Sequence, residues 1–564
     1  MKKYLLVTIC LLQLAFAANA QFTWDWARCS VSDSVHPNSL AESICIASDK
    51  DGNVIIGGLY RGQAWFGPYL LPADSISKKP EDMFIAKYDA LGNVLWARHA
   101  RGTVQATSIA TDVLGNVYVA GNFDEDSARF DSIIVQGTGG NTANVFVAKY
   151  DSVGNILWVR NPNGWYSSST PAIAVDIAGN AYITGGFNGD SLSFGSTYIV
   201  ANHTASTTFY LCKYGAAGNF DWAKTIISSA PVTGQCIGVD RNGDLRVAGV
   251  FAADTLNMTV ETLFNTGIPG CQNFFIAKYD SSGNIIWAQS AASEANSSVN
   301  AISVDGDGNS YLTGLFSGDS ILFGPVRLYN AGQLNVFIIK YNNQGKARWG
   351  KAANGGHRNI GYGIVAAGNE LYAGGSFQDS IIFESSIIYN DQGDTSPTYI
   401  LSLDTSGKLL CTGKIGTSDL SNQQLPAGIV CADAAGNAFT TGKYETNDFT
   451  VGNDSLHQTG WIDAFVTKFR CQLGNTEGIA EVISSGAMVI YPNPTSNVVN
   501  ITVGENLIGG TLSIADLTGR KIIETKLAGA KNEFATAELS NGIYLVTVGE
   551  NNVRYITRKL VVSK

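Results

Sequence analysis

A strand motif ending in Lys-Tyr-Asp or a close variant recurs along this chain. Its aromatic or apolar residue falls at Tyr88, Tyr150, Tyr214, Tyr279, Tyr341, Leu403 and Phe469. Successive gaps are 62, 64, 65, 62, 62 and 66 residues. A second marker, Gly-x-aromatic, recurs at Tyr60, Phe123, Phe187, Phe251, Phe316, Phe377 and Tyr444. Seven copies of one unit restrict the chain to architectures in which each unit buries its apolar surface against the next.

The units read as paired hairpins. In "SIATDVLGNVYVAGNF" and "FIAKYDALGNVLWA" apolar residues alternate over four to six positions, the period of a half-buried strand. Between the strands stands Asp-x-x-Gly-Asn, as in Asp112 to Asn116 and Asp89 to Asn93. Asp suits the first position of a type I turn, and Gly accepts the positive φ that follows in a bulged hairpin. Each unit is therefore four strands, A to D.

Strand D carries Trp96, Trp158, Trp222, Trp287 and Trp349, with Cys411 in the sixth place. The seventh C strand, "AFVTKFRC", has no D strand after it, but "FTWDWAR" near the N-terminus supplies one, with Trp26 in the Trp position. A copy split between the two ends of the region predicts that its first and last strands pair and close a ring. The expected fold is all-β: a seven-bladed β-propeller over residues 21–472, closed by the N-terminal strand. An open solenoid is the alternative, and it would not need the split copy.

The pattern A-x-D-x-x-G-N-x-Y-x-x-G-x-F followed by F-x-x-K-Y-D-x-x-G-N-x-x-W resembles the β-propeller repeats of secreted bacterial proteins known as SBBP repeats. The likeness spans about residues 22 to 472. The sixth copy departs from it: "IVAAGNELY" lacks the turn Asp and is shorter, and "ILSLDTSGKLLC" lacks the Lys, Tyr and Trp.

Residues 1–20 read as a secretory signal, with Lys2 and Lys3, an apolar run from Tyr4 to Phe16, and a cleavage site between Ala20 and Gln21. No later apolar run approaches the ~20 residues needed to span a bilayer, so no transmembrane segment is expected. Without the leader lysines, 35 basic side chains face 47 acidic ones, a balance of −12. Such a chain is no nucleic-acid binder. Eight cysteines remain once Cys10 leaves with the leader. In an exported protein they are free to form disulfides or to stay as buried thiols, and their spacing does not decide which.

After Cys471 the period stops. Residues 473–487 read as a linker, and residues 488–564 as a small Ig-like β-sandwich with strands "VVNITV", "LSIAD", "YLVTV" and "KLVV". Tyr491-Pro492-Asn493-Pro494 forms a rigid turn, because each Pro fixes φ and removes a donor. The tail resembles the type A C-terminal sorting domain carried by type IX secretion cargo of Bacteroidota. The likeness rests on that turn, on "DLTGRKI" with Gly519 and Arg520, on "LSNGIYLVTV" with Gly542 and Tyr544, and on "KLVV" with Lys559. It implies Sec export followed by passage through the outer membrane, with the type IX secretion machinery as partner. An accessory sandwich that binds some other partner is the alternative.

No Gly-x-Ser-x-Gly elbow, His-Glu-x-x-His or Walker lysine is present. His36, His99, His203, His357 and His457 lie far apart in sequence. The stretches leading into the innermost strands, "AESI", "ATSI", "TPAI", "GQCI", "VNAI", "GYGI" and "PAGI", offer one carboxylate, Glu42, so a paired-carboxylate mechanism has little material there. "DGDGNS" at Asp305 and "DEDS" at Asp124 resemble pieces of calcium loops. A hairpin turn explains the first, and neither a metal nor a cofactor is expected.

Residues found in every copy are scaffold, so a ligand site belongs in what is not repeated. A-to-B and C-to-D turns share one face. The long, variable B-to-C and D-to-A connections share the other, where binding is expected. Of four tryptophans outside the strand-D position, Trp165 with Tyr166 in "NPNGWYSSSTP" lies on that long-loop face, as do His357 and Arg358 in "GGHRN". Exposed aromatics stack on sugars or anchor protein partners. The sequence therefore points to an exported recognition or scaffold module for glycan or protein without catalysis of its own. The alternatives are a propeller-type polysaccharide hydrolase or lyase, and a spacer in the surface coat.

Overall fold

The computed structural model describes residues 21–33, 38–73, 81–138, 143–164, 170–201, 207–355, 357–384, 386–390, 397–415, 429–445, 448–452, 454–472, 488–491, 493, 495–503, 508–516, 520–550 and 554–564. All elements among them are β-strands. The described residues up to Gln472 and those from Met488 onward fall in two compact units.

In the larger unit the A to D reading holds strand by strand. Sheet 1 takes Leu40–Ser48, Val54–Arg61, Asp82–Tyr88 and Val94–Arg101. Sheet 2 takes Val104–Thr111, Val117–Phe123, Asn144–Tyr150 and Ile156–Arg160. Sheet 3 takes Ala172–Val175, Ala181–Phe187, Thr208–Tyr214 and Phe220–Thr225. Sheet 4 takes Val232–Val239, Leu245–Phe251, Asn273–Tyr279 and Ile285–Ser290. Sheet 5 takes Ser297–Val304, Ser310–Phe316, Asn335–Tyr341 and Ala347–Ala352. Sheet 6 takes Asn359–Ala367, Glu370–Phe377, Thr398–Asp404 and Leu409–Ile415. Sheet 7 takes Val430–Ala432, Ala438–Tyr444 and Asp463–Gln472, and its fourth strand is Gln21–Cys29. That strand pairs antiparallel from Gln21 opposite Gln472 to Cys29 opposite Phe465. The A strand of each sheet packs against that of the next, and the A strand of sheet 7 packs against that of sheet 1. Seven buried apolar clusters each draw on two consecutive sheets, the pair of sheet 7 and sheet 1 included.

The strand-D tryptophans fasten sheet to sheet. Each indole N–H donates to a carbonyl in the C-to-D turn of the following sheet. Trp26 reaches Ala90 at 3.0 Å, Trp96 Ser152 at 3.1 Å, Trp158 Ala216 at 3.2 Å, Trp222 Ser281 at 3.2 Å, Trp287 Asn343 at 3.0 Å and Trp349 Thr405 at 3.1 Å. The turn glycine permits the approach: at Gly345, φ is +76° and an added Cβ would stand 2.8 Å from the Trp287 ring. Sheet 7 has no C-to-D turn to receive such a ring from sheet 6. There Cys411, in the Trp position, forms a disulfide with Cys471 at the end of the seventh C strand. Cys29, Cys45, Cys212, Cys236, Cys271 and Cys431 are thiols.

The B-to-C connections, read from the sequence as long and variable, contain regular structure. Each carries a short hairpin: Ala64–Phe66 with Tyr69–Leu71, Ser127–Phe130 with Ile133–Gln136, Ser191–Phe194 with Thr197–Val200 and Thr255–Asn257 with Thr262–Phe264. Ser320–Phe323 with Val326–Tyr329, Ser380–Phe383 with Ser386–Tyr389 and Asp448–Val451 with Asp454–His457 complete the set. The first strand of several hairpins pairs with residues at or just beyond the D strand of the preceding sheet, as Phe130 does with Ala100 and Ser320–Phe323 with Ala292–Ser293. The hairpins thus form a second set of links between sheets.

In the tail, Met488–Tyr491, Val498–Val503 and Lys531–Ala535 form one sheet. Lys521–Lys526, Thr511–Asp516, Gly542–Glu550 and Arg554–Val562 form the other. Val499, Ile501, Leu512, Ile514, Val546 and Leu560 from both sheets share one buried cluster, which makes this unit a two-layer sandwich.

Closing a 60-residue loop by a disulfide removes chain entropy from the unfolded state worth about 4 kcal/mol. Replacing Cys411 and Cys471 together by Ala is expected to lower the unfolding free energy by up to about that amount in urea denaturation, and reductant should do the same to the parent. A double variant as stable as the parent would show that the seam holds without the bond.

Candidate functional site

The repeated polar groups serve the scaffold. In sheet 1 the Asp49 carboxylate accepts the backbone N–H groups of Asp51 and Asn53 at 2.9 and 3.0 Å and the Asn53 amide at 2.8 Å. Its Oδ2 lies 2.7 Å from Lys87 Nζ, with both side chains buried. Burial raises the Asp49 pKa, but the hydrogen bonds from Lys87 and Asn53 and the lysine charge outweigh it, holding the carboxyl below its usual value. Asp305 in "DGDGNS" is engaged in the same way by Asp307, Asn309 and Tyr311.

Of the sequence-derived site residues, Trp165 and Tyr166 lie outside the described residues, as does Ala20. Gln21 opens the strand that completes sheet 7. His357 Nε2 stands 3.1 Å from Asp379 Oδ2, both half-exposed or more, which joins the D-to-A connection of sheet 5 to the B-to-C connection of sheet 6. The His357 carbonyl accepts from Leu334 N–H at 3.3 Å, and Arg358 beside it is exposed.

In the tail, Tyr491 lies under Lys531 Nζ at 5.9 Å, and Asn493 Oδ1 accepts the Val561 N–H at 2.8 Å. Arg520 donates to Asp516 through its backbone N–H and its Nε, both at 3.1 Å. Gly542 opens the strand in which Tyr544 donates to the Ser540 carbonyl at 2.9 Å, and the Lys559 backbone pairs with Leu545. Pro492, Pro494 and Gly519 lie outside the described residues.

The three described histidines are dispersed. His99 meets Tyr60 at 3.2 Å, His357 meets Asp379, and His457 ends the seventh hairpin. Glu42 of the innermost strands is paired with Lys443 at 3.3 Å. Burial pushes the Cys45, Cys212, Cys236 and Cys431 thiols far above their usual range, out of reach of nucleophilic chemistry. Among the described residues no group of three or more His, Cys, Asp or Glu is placed to hold a metal.

Two features escaped the sequence reading. The first is the set of hairpins, whose signal is a recurring Asp-Ser followed by an apolar alternation, as in "GDSLSF" and "GDSILF". The second is a pair of cavities on the opposite, tight-turn face. One of about 530 Å³ is bounded by the A-to-B turns of sheets 4, 5 and 6, and one of about 610 Å³ by the C-to-D turns of sheets 5 and 6.

Asp49→Asn is expected to destabilise the protein by about 3 kcal/mol at neutral pH, because it leaves Lys87 buried without its counter-charge. The contribution of the Asp49 carboxylate is present above about pH 3.9. It is lost as the pH falls through the lower folded value. Urea denaturation across that range should therefore show the gap between parent and variant closing in acid. A gap that stays constant to about pH 2 would contradict this account.

Residues 489–563 match the family model of the secretion system C-terminal sorting domain. No enzyme family model matches the chain. An uncharacterized WD repeat-containing protein of Acanthamoeba polyphaga mimivirus is 25% identical over 211 residues, covering 32% of this chain and 15% of that protein. Among solved structures, a protein of unknown function from Bacteroides caccae covers 66% of this chain and 97% of its own at 10% identity and a TM-score of 0.31. PorZ, a surface component of the type IX secretion system of Porphyromonas gingivalis, covers 93% and 81% at 13% identity and a TM-score of 0.19. A puromycin hydrolase covers 72% and 58% at 9% identity and a TM-score of 0.32. Likeness this low says nothing about activity. The sorting domain directs this chain through type IX secretion to the cell surface or the extracellular space.

Proposed function

We propose that residues 21–472 form a closed seven-bladed β-propeller of SBBP-like repeats that acts outside the cell as a non-catalytic recognition module for glycan or protein. Residues 473–487 are its linker to the sorting domain of residues 488–564. The packing of consecutive A strands, which returns from sheet 7 to sheet 1, supports the ring. The dispersal of the three described histidines and the pairing of Glu42 with Lys443 support a role without catalysis.

One observation carries the recognition reading. Five residues beyond the tip of the hairpin, the third to sixth hairpins present Val200, Phe264, Tyr329 and Tyr389, exposed to 51%, 62%, 68% and 59%. Single exposed apolar residues are ordinary on any protein. The same position filled this way in four successive hairpins is a patterned surface, and aromatic residues dominate the energetics of interfaces. It belongs to the B-to-C connections, where the sequence led us to expect binding.

Immobilised protein is expected to retain polysaccharide or protein from cell-envelope and host-matrix extracts, and a Phe264→Ser, Tyr329→Ser, Tyr389→Ser variant to retain about tenfold less. Equal retention by parent and variant would remove the arc from the reading. Deleting residues 488–564 should leave the chain in the periplasm, and undiminished arrival outside the cell would refute the sorting assignment of that segment.

A further inference from the structure

The two cavities on the tight-turn face share Asp307, Asn309, Lys340 and Thr405 as lining residues, so they are parts of one groove. The groove sits where the repeat is broken. The A-to-B turn of sheet 5 runs over five residues, Asp305 to Asn309, whereas that of sheet 6 is cut to Gly368 and Asn369 between Ala367 and Glu370. The shorter turn leaves open space beside Asp305–Asn309, bordered by Ala366, Gly368 and Asn369.

Repetition supplies an internal control for the charges. Six C strands carry a lysine at the same position, and five of these have a carboxylate partner. Lys87 pairs with Asp49 at 2.7 Å, Lys149 with Asp112 at 3.6 Å, Lys213 with Asp221 at 2.9 Å, Lys278 with Asp244 at 2.9 Å and Lys468 with Asp25 at 3.9 Å. Lys340, in the groove, has no carboxylate at ion-pair distance among the described residues. It donates to the Thr405 carbonyl at 2.9 Å and lies 4.9 Å from the Tyr311 ring centre. Two further cations flank it without ion-pair partners among the described residues. Arg348 lines the outer half of the groove, and Arg241 lines the inner half. Arg241 Cζ packs so closely over Gly306 that an added Cβ there would stand 3.3 Å away.

We propose that this groove binds an acidic saccharide, a chain of sugars bearing carboxylates. Lys340 and Arg348 take a carboxylate through charge-assisted hydrogen bonds, while Asp307 and the amides of Asn309 and Asn369 take ring hydroxyls. Spare positive charge on a partly buried lysine calls for an anion. Asp305 and Asp307 on the same wall oppose the denser charge of phosphate or sulfate clusters, and Asp307 accepts from hydroxyls. Amide and carboxylate groups beside Trp349 suit a sugar better than an apolar ligand. The site lies on the face opposite the aromatic arc and stands or falls independently of it.

Calorimetric titration of the full secreted chain with short oligosaccharides of galacturonate, glucuronate and mannuronate tests this. Carboxyl-reduced counterparts and an oligoglutamate peptide serve as controls. At least one uronate series is expected to bind at least about tenfold more tightly than its reduced counterpart, with affinity falling as salt rises. Lys340→Met, Arg348→Ala and Arg241→Ala should each weaken it by about tenfold. Lys340 also supports the Thr405 turn, so the two exposed arginines decide the matter if the lysine variant unfolds. Absence of binding, equal affinity for reduced sugars, stronger binding of oligoglutamate, or full affinity in both arginine variants would overturn the assignment.

Discussion

Everything in the larger unit depends on how one small sheet is fastened to the next. A four-stranded sheet of this size has two apolar faces and cannot stand alone in water, so each of the seven contributes to two buried clusters. Apolar contact alone leaves neighbouring sheets free to slide. The strand-D indole removes that freedom, because its ring lies on a glycine and its N–H must meet a particular carbonyl of the following turn. Six junctions are built this way. The seventh cannot be, since the receiving turn is the place where the chain is cut, and there a covalent bond between Cys411 and Cys471 stands in for the indole. The weakest junction on grounds of connectivity therefore carries the strongest bond.

The electrostatics follow the same economy. Buried lysines are costly unless paired, yet three C strands keep one, Lys87, Lys149 and Lys278, because it spans two structures. Lys87, for example, neutralises Asp49 of its own sheet while donating to the Ser152 carbonyl of the next at 3.3 Å. The Asp is in turn held by the backbone of the turn it begins. Turn, strand and neighbouring sheet thus share one hydrogen-bonded group. This is why the motif residues Asp, Gly, Asn, Lys and Trp recur together.

Because these residues recur, most of the scaffold was legible in the sequence. Strand order, the Asp-x-x-Gly turns and the split copy all follow from local alternation and spacing. Even the oddity of Cys411 in the Trp column was visible, but its partner was not, because the bond joins strands from different copies and no spacing encodes that. The hairpins were missed because strands of three or four residues alternate too briefly to stand out from a loop. The groove was missed for a different reason: it is made by turns of three sheets, and a cavity has no sequence signature. Of the residues singled out for binding, His357 meets Asp379, a residue the sequence reading did not single out, in an encounter between two connections that sequence distance conceals.

Symmetry also explains where specificity has room to arise. In sheets 2, 3, 5 and 6 the second B-strand position or its equivalent is Tyr118, Tyr182, Tyr311 and Tyr372, each bonded to an acidic side chain. Sheet 4 has Arg246 there, fully buried, donating to Asn343 Oδ1 at 2.7 Å and to the Gly308 carbonyl at 3.1 Å. Lys278 donates to the same Asn343 oxygen at 2.7 Å. Two cations of sheet 4 therefore pin the C-to-D turn of sheet 5 and leave Asn343 in the groove wall with its acceptor committed. On the other side, sheet 6 withdraws its turn. The groove is thus flanked by the two departures from the repeat, one that stiffens a wall and one that opens space. On the tight-turn face, where the other positions are tied to repetition, such departures give a specific site room to arise.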